Sequence, residues 1–530
     1  MAHNAADVEK GTGQAGGQAG AIASKATQGI FTGDEYLASL NDGREVWING
    51  ERVRDVTTHP GFRNSARMMA RLYDAMHHPD TAEILTMPMD DGSGRRTHRF
   101  FQAPRSVEEQ VKARDAVALW SRLSYGWMGR TPDYKGAWVA TLAGATNFYG
   151  EFQANADRWY DLARANVPFI NHALVNPPID RHLPNESSDV FVQVEKETDA
   201  GLIISGAKVV ATAAALTQYT FVAHYNTVYK DKRFSPIFIV PTGAPGVKLI
   251  CRNSYEFDAA VTQTPFEAPL SSRMDENDSI LVFDKVFVPW ENVFNYDAER
   301  ANMFMQISGN FSRALLQAST RLAVKLHFIA GLFIRAVEII GNKDVRGVQA
   351  AVGEVIALRH LMWSLSDAMA RSAQPWGDFV LPNEEAALAF RAIAGDSYSR
   401  VRNLIYKTIG SGLIYLPSHG SSLGNAEISG YIEKYVRGSF GVGAEERIKT
   451  LKLLWDAISS EFGSRHELYE LNYSGSNEQT RVDPYMIAGL TGRAAEMKAL
   501  AEKCMSEYDI NGWTVPDLIN ANDVNVIGRS

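Results

Sequence analysis

The hydrophobic residues of this chain change their spacing twice, and that switch limits the folds open to it more than any other feature. From Thr32 to about Val167 they recur at helical intervals: Asn64 to Met76 carries an apolar face, and Val107 to Tyr125 puts Ala113, Ala116, Val117, Trp120 and Leu123 on one side. Asp34 to Leu40 starts an amphipathic turn, and one interruption, Arg44 to Val53, alternates about Asn49-Gly50 as a hairpin does. The period then falls to two. Val190–Val194, Leu202–Ile204, Gln218–Tyr225, Pro236–Val240, Val247–Ile250 and Ser279–Phe283 read as short strands parted by Gly, Pro, Asn or Asp. No helix of useful length separates them, which argues against a doubly wound parallel sheet and predicts an antiparallel barrel or sandwich. After about Glu299 helical spacing returns. Ser319 to Ile340 is apolar on nearly all sides and stops at Gly341-Asn342; Gly347 to Ala373 stops before Pro375; Asn383 to Ile409 stops at Gly410; Ala444 to Ser460 reads as the last long member. Helices that apolar need neighbours on several sides, so a bundle that also serves as a subunit interface is predicted. The fold class is α+β, divided into a flexible tail (1–28), a helical domain (29–168), a β domain (169–299) and a helical bundle that oligomerises (300–530).

Composition narrows the function. A chain of 530 residues, 45% hydrophobic, can bury a large core. A formal charge of −8 with no basic block makes nucleic acid and anionic membranes poor partners. Cys251 and Cys504 are the sole cysteines, too few for a disulfide framework, a zinc motif or an all-cysteine iron–sulfur cluster, so no metal is expected. No basic-then-apolar leader or long uncharged apolar run is visible, and the expected location is the cytoplasm. Three motifs carry no chemistry. Gly11-Thr12-Gly13-Gln14-Ala15-Gly16 lacks the strand and helix of a dinucleotide site, Gly420-Ser421-Ser422-Leu423-Gly424 lacks the context of a nucleophile elbow, and His466-Glu467 lacks the second histidine of a zinc helix. Trp127, Trp363 and Trp455 sit at helical spacing and read as core.

One stretch, Ser121 to Tyr134, says that a helix has ended and another begins. Gly129 suits the positive φ of a helix C′ position, Thr131 an N-cap, Pro132 the first helical position, and Asp133 the positive end of the helix dipole. Arg130 then lies just outside the new helix and Tyr134 in its first turn. A guanidinium and a phenol brought together there make a compact donor set for a phenolate, carboxylate or peroxide oxygen.

Arg130-Thr131-Pro132-Asp133-Tyr134, Asn171-His172-Ala173 and Asn176-Pro177-Pro178-Ile179-Asp180-Arg181-His182-Leu183-Pro184 together resemble the large oxygenase component of 4-hydroxyphenylacetate 3-monooxygenase, a two-component reduced-flavin enzyme family. The likeness runs from Phe31-Thr32-Gly33 through Ser205-Gly206-Ala207-Lys208-Val209-Val210-Ala211-Thr212 and Pro289-Trp290-Glu291-Asn292-Val293 to Glu461-Phe462-Gly463-Ser464-Arg465-His466-Glu467-Leu468-Tyr469-Glu470. It implies the acyl-CoA dehydrogenase-like fold, with an N-terminal helical domain, a middle antiparallel β-barrel and a C-terminal four-helix bundle, usually as a homotetramer with flavin sites near subunit boundaries. It also implies FADH2 delivered by a separate NAD(P)H-flavin reductase, O2 as co-substrate, a flavin C4a-hydroperoxide, and ortho-hydroxylation of 4-hydroxyphenylacetate or a similar para-substituted phenol to a catechol. Chlorophenols, p-coumarate or tyrosine derivatives are alternative substrates. A CoA-ester dehydratase of the same fold, whose cluster two cysteines cannot ligate, and a non-catalytic flavin-binding oligomer are the other readings.

By motif match Arg130, Tyr134 and His172 become the catalytic candidates. His172 would accept or relay the phenolic proton because an unperturbed imidazole titrates near neutrality, and Arg130 and Tyr134 would stabilise oxygen anions. Flavin contacts fall to His172, Pro178, Ile179, Asp180, Arg181 and Thr212, with Phe462, Gly463, Ser464 and Arg465, where a Gly-Ser-Arg turn would offer N–H groups and a guanidinium to a pyrophosphate. Ala213-Ala214-Ala215 is smaller and less polar than the family pattern and is expected to widen or dry the pocket.

Overall fold

The computed structural model describes residues 29–515 other than 145, 181, 185, 187, 188, 226 and 511. The predicted tail and its glycine motif at 11–16 lie outside the described residues. The principal elements of the first third are α1 (Gly33–Ser39), the hairpin β1 (Glu45–Ile48) and β2 (Glu51–Val53), α2 (Arg63–Ala75), α3 (Pro79–Leu85), α4 (Val107–Leu123), α5 (Pro132–Leu142) and α6 (Gln153–Asn166). Local chemistry sets their ends. Thr32 and Glu35 form a reciprocal capping box on α1, and the Ser106 hydroxyl accepts from the Glu109 N–H at the start of α4.

The strands are β3 (Ile170–Ala173), β4 (Gln193–Thr198), β5 (Gly201–Thr212), β6 (Tyr219–Val222), β7 (Ile237–Pro241), β8 (Val247–Cys251), β9 (Asp278–Pro289) and β10 (Val293–Asn295). They form a six-stranded sheet, β2-β1-β8-β9-β5-β4, and a four-stranded sheet, β10-β7-β6-β3. Most pairings are antiparallel; β1 with β8 and β3 with β6 are parallel. The N-terminal hairpin thus completes a sheet made mainly by the middle of the chain. β5 and β9 are longer than their period-two segments because register shifts at Ser279/Leu281 and Phe283/Val286 break the alternation without ending the pairing. A helix does interrupt the strands: α7 (Tyr255–Thr262), capped by Ser254, hangs its Glu256 carboxylate on the Asn64 and Ser65 N–H groups at 2.7 and 2.9 Å.

The last third is built on α8 (Asn310–Ile340), which packs against α4, α5, α9 (Arg346–Arg371), α10 (Glu384–Ile409) and α11 (Ala444–Ile458). It ends on Gly341 at φ 86°, as the Gly-Asn signal predicted. Ala444–Ile458 is not the last long helix. α12 (Glu461–Asn472), α13 (Gln479–Leu490) and α14 (Arg493–Met505) follow, and in the last two such apolar residues as Leu490 and Leu500 face outward. A helix with no apolar stripe turned to its own core leaves a weak periodic signal, and Pro484 inside α13 weakens it further. Trp127 is fully buried, but Trp455, read as core, is 37% exposed.

Candidate active site

The segment joining α4 to α5 is where the two helices, the β domain and α12 meet. α4 ends at Leu123 and the chain reverses through Tyr125 (φ 54°) and Gly126 (φ 78°). A Cβ on Gly126 would fall 2.5 Å from the Lys325 backbone nitrogen on α8, so the reversal needs glycine. Gly129, read from sequence as the left-handed residue, is not one. Its Cβ would lie 2.4 Å from the Tyr469 hydroxyl, so glycine is required there by close approach. Thr131 takes the extended N-cap conformation, yet its hydroxyl donates to Asp133 Oδ1 at 2.5 Å and not to the helix backbone. The free N–H groups of Gly129 and Arg130 donate to Glu276, 2.9 and 2.6 Å away, just before β9.

That carboxylate fixes where Arg130 stands. Its guanidinium carbon is 4.0 Å from the Tyr134 ring centroid, 5.0 Å from Tyr469 and 5.7 Å from Tyr473, and Nε and Nη1 have no hydrogen-bond partner. A buried guanidinium held by ring faces keeps its N–H groups for a ligand. His172, on β3, brings its ring to 5.5 Å from Tyr134 and lies near-parallel to Trp138 at 5.8 Å. Burial first, then Lys135 and Arg130, push the His172 imidazole well below its ordinary range, so the ring is neutral rather than poised near pH 7. A proton rests there only when an anion lies beside it.

Arg130 and His172 open into a cavity of about 930 Å³ whose lining includes Pro178, Thr212, Asp278 and Arg465. The charges on this second wall are paired. Asp278 accepts from Arg465 Nη2 at 2.7 Å and Nε at 3.0 Å, from Arg252 Nε at 3.0 Å and from the Thr212 hydroxyl at 2.6 Å. Burial raises its pKa, but Arg465 and then Arg252 outweigh that and hold the carboxyl below the usual range. Arg465 Nη1 has no hydrogen-bond partner, though it stands 3.8 Å from Glu276. Beneath, Glu470 of α12 pairs with Arg321 and with Lys325, whose amine burial brings down to about 7 against the pull of Glu470.

Of the residues singled out from sequence, Arg130, His172, Pro178, Thr212 and Arg465 line this cavity, and Tyr134 sits directly behind Arg130. Ile179 and Asp180 follow Pro178 on an exposed loop, where Asp180 adopts φ 46°; Arg181 lies outside the described residues. Phe462, Gly463 and Ser464 stand elsewhere. Phe462 is buried against Trp127 and His466, at 5.6 and 4.4 Å. The Gly-Ser-Arg segment is no anion-holding turn but the first turn of α12: the Gly463 N–H is capped by the Ser460 hydroxyl and the Ser464 N–H donates to the Ser460 carbonyl. Ala213, Ala214 and Ala215 are all at most 2% exposed and pack in the core, off the cavity lining, so they neither widen nor dry it. Sequence reasoning missed Lys135, Glu276, Asp278, Tyr469 and Tyr473. The available signal was the spacing of Arg465, Tyr469 and Tyr473, four apart on one helix face.

Comparison with known proteins places the chain. The profile of the 4-hydroxyphenylacetate 3-hydroxylase N-terminal region matches residues 32–295, and that of the C-terminal region residues 301–502. The chain is 53% identical to the oxygenase component of a Rhodococcus 4-nitrophenol 2-monooxygenase, over 94% of its own length and 96% of that protein's. It is 50% identical to the oxygenase component of the Escherichia coli 4-hydroxyphenylacetate 3-monooxygenase, over 95% and 98%. It superposes on a crystal structure of such an oxygenase component complexed with FAD and 4-hydroxyphenylacetate with a TM-score of 0.84, at 29% identity, covering 90% of this chain and 99% of that one.

Proposed function

The chain belongs to the 4-hydroxyphenylacetate 3-hydroxylase family, and from that premise we propose that it is the oxygenase component of a two-component monooxygenase, using FADH2 and O2 to hydroxylate a para-substituted phenol ortho to its hydroxyl. The observation that carries this reading is the pairing, in one cavity, of a guanidinium with unpartnered N–H groups and a neutral imidazole. 4-Hydroxyphenylacetate and 4-nitrophenol, named for the relatives, define the substrate class.

The cavity suits a flavin. Its volume is in the range of a cofactor site, and the unpartnered nitrogens of Arg130 and Arg465 can receive a ligand's oxygens. Thr212, Arg465, Pro178 and His172 would hold it, with Ile179 and Asp180 on the adjoining loop. Phe462, Gly463 and Ser464 lie off this lining. Reduced flavin supplies activated oxygen. This chain's own residues hold the phenol. Arg130 grips its oxygen, with the Tyr134 ring backing the guanidinium, since a charge-assisted donor favours the phenolate and so enriches the ortho carbon. His172 accepts the phenolic proton as a hydrogen-bonded relay. The Tyr134, Tyr469 and Tyr473 rings exclude water around the guanidinium. The reduced flavin comes from a separate NAD(P)H-flavin reductase, as the name "oxygenase component" of the relatives supports, and the cytoplasm is where such a couple would work.

The test is to mix the protein and anaerobic FADH2 with oxygenated buffer and each of the two phenols, then separate the products. A catechol formed in step with flavin oxidation is the expected result. Flavin oxidation giving hydrogen peroxide alone, across a panel of para-substituted phenols, would overturn the proposal.

A further inference from the structure

Lys135 is a charge-bearing group that the reading above does not use. It follows Tyr134 on α5, is 2% exposed, and its Nζ has no hydrogen-bond partner. The amine lies 4.1 Å from the Tyr134 ring centroid and 4.6 Å from that of Trp138. Those two rings are the ones against which His172 packs. Arg130 stands 4.0 Å from the same Tyr134 ring, so one phenol carries two cationic groups.

Among the described residues no carboxylate answers Lys135. Asp133, on the same helix, is engaged by Thr131 and Gln317; Glu276, before β9, is engaged by the Gly129 and Arg130 N–H groups. The other titratable groups around this pair of cations are His172 on β3 and Tyr469 and Tyr473 on α12. A buried amine without a partner costs several kcal/mol that a methionine of similar shape would not, so packing does not account for a lysine here. Burial and then Arg130 push its pKa well down, so it holds its charge fully only when an anion enters the site.

We propose that Lys135 is a positioning residue for the hydroxylation assigned above: acting through the Tyr134 ring, its ammonium joins Arg130 in making the cavity take up a phenolate in preference to a phenol. The inference rests on that functional reading. It implies that, among phenols of equal size, those with electron-withdrawing para groups bind best.

4-Nitrophenol reports its own ionisation by its visible absorbance, and reduced flavin leaves that window clear. The experiment titrates 4-nitrophenol bound to the full chain with FADH2, without oxygen, across pH, in wild type, Lys135→Met and Lys135→Arg. Wild type is expected to bind the phenolate at pH values where free 4-nitrophenol is protonated. In Lys135→Met the phenolate-to-phenol ratio should fall about tenfold, the effect of one nearby charge, with FADH2 affinity within about threefold, a difference of well under 1.4 kcal/mol; Lys135→Arg should recover most of the ratio. Should the methionine variant fail to bind FADH2, Lys135→Gln carries the same comparison. An unchanged midpoint in the charge-removed variant overturns the role of Lys135 and leaves the monooxygenase standing. Failure of wild type to take up the phenol overturns the functional reading and this inference with it.

Discussion

The two walls of the cavity are charged in opposite styles. At the α5 wall Arg130, and off the lining Lys135 behind the Tyr134 ring, are buried with nitrogen atoms unpartnered and are held by ring faces, beside a histidine kept neutral. On the β9 wall Asp278 is bound by Arg465, Arg252 and Thr212, and its charge is matched. Unpaired buried charge costs stability and is answered by a ligand; paired charge is scaffold that holds its shape with the cavity empty. The difference teaches which residues to remove to lose chemistry and which to remove to lose structure.

The largest effect should come from emptying the α5 wall. Arg130→Ala and His172→Ala are each expected to lower single-turnover hydroxylation by about 10²–10³, the usual loss for a preorganised donor or proton acceptor, while flow dialysis finds FADH2 affinity falling much less, because other lining residues still hold the flavin. Equal loss of flavin affinity in both would erase the contrast between the walls. Next, Asp278→Asn leaves Arg465 without the carboxylate it donates to, while Arg252 keeps Asp275 at 2.7 Å. With Asp278 about one-fifth exposed, the expected loss is about 2–3 kcal/mol in urea unfolding, below that of a fully buried pair, with flavin affinity falling alongside. A variant as stable as wild type would show that this wall, too, is not scaffold.

A separate effect, on stability and not on rate, lies in pH. His98, His172, His224 and His466 all have imidazoles pushed below the ordinary value, in each case by burial first. A lowered pKa means that the unfolded chain binds the proton more tightly, so this stability is complete above about pH 6.5 and drains as pH falls toward the folded values, by up to about 1.4 kcal/mol per histidine per pH unit. Thermal melts from pH 7.5 to 5 should show that loss, while the hydroxylation rate shows no acid limb at 6–7 from free His172. Smallest is Tyr469→Phe. The ring that faces Arg130 stays, so a less than about threefold change in rate is expected; a loss near that of Arg130→Ala would mean that the hydroxyl touches substrate.

Much of the fold was legible because its signals are local. The Asn-Gly hairpin, the Gly341 stop and the long helices after residue 300 follow from periodicity and end chemistry. The places that escaped depend on partners far along the chain. α7, α13 and α14 lack a clean stripe, and β5 and β9 run through register shifts that only a neighbouring strand reveals.

The site divides the same way. Sequence named the Arg130–Tyr134 motif, His172, Thr212 and Arg465 through the family resemblance, because motifs travel with the residues. Tertiary structure alone decided that Gly129 is glycine for the sake of Tyr469, that Glu276 anchors two N–H groups almost 150 positions earlier, and that Gly463 and Ser464 spend their N–H groups within α12. It also decided that His172 is neutral and that Lys135 has no counter-ion among the described residues. The reason is physical: a pKa and an unmet hydrogen bond are set by the dielectric and the charges around a group, and folding brings those from segments that no local pattern connects.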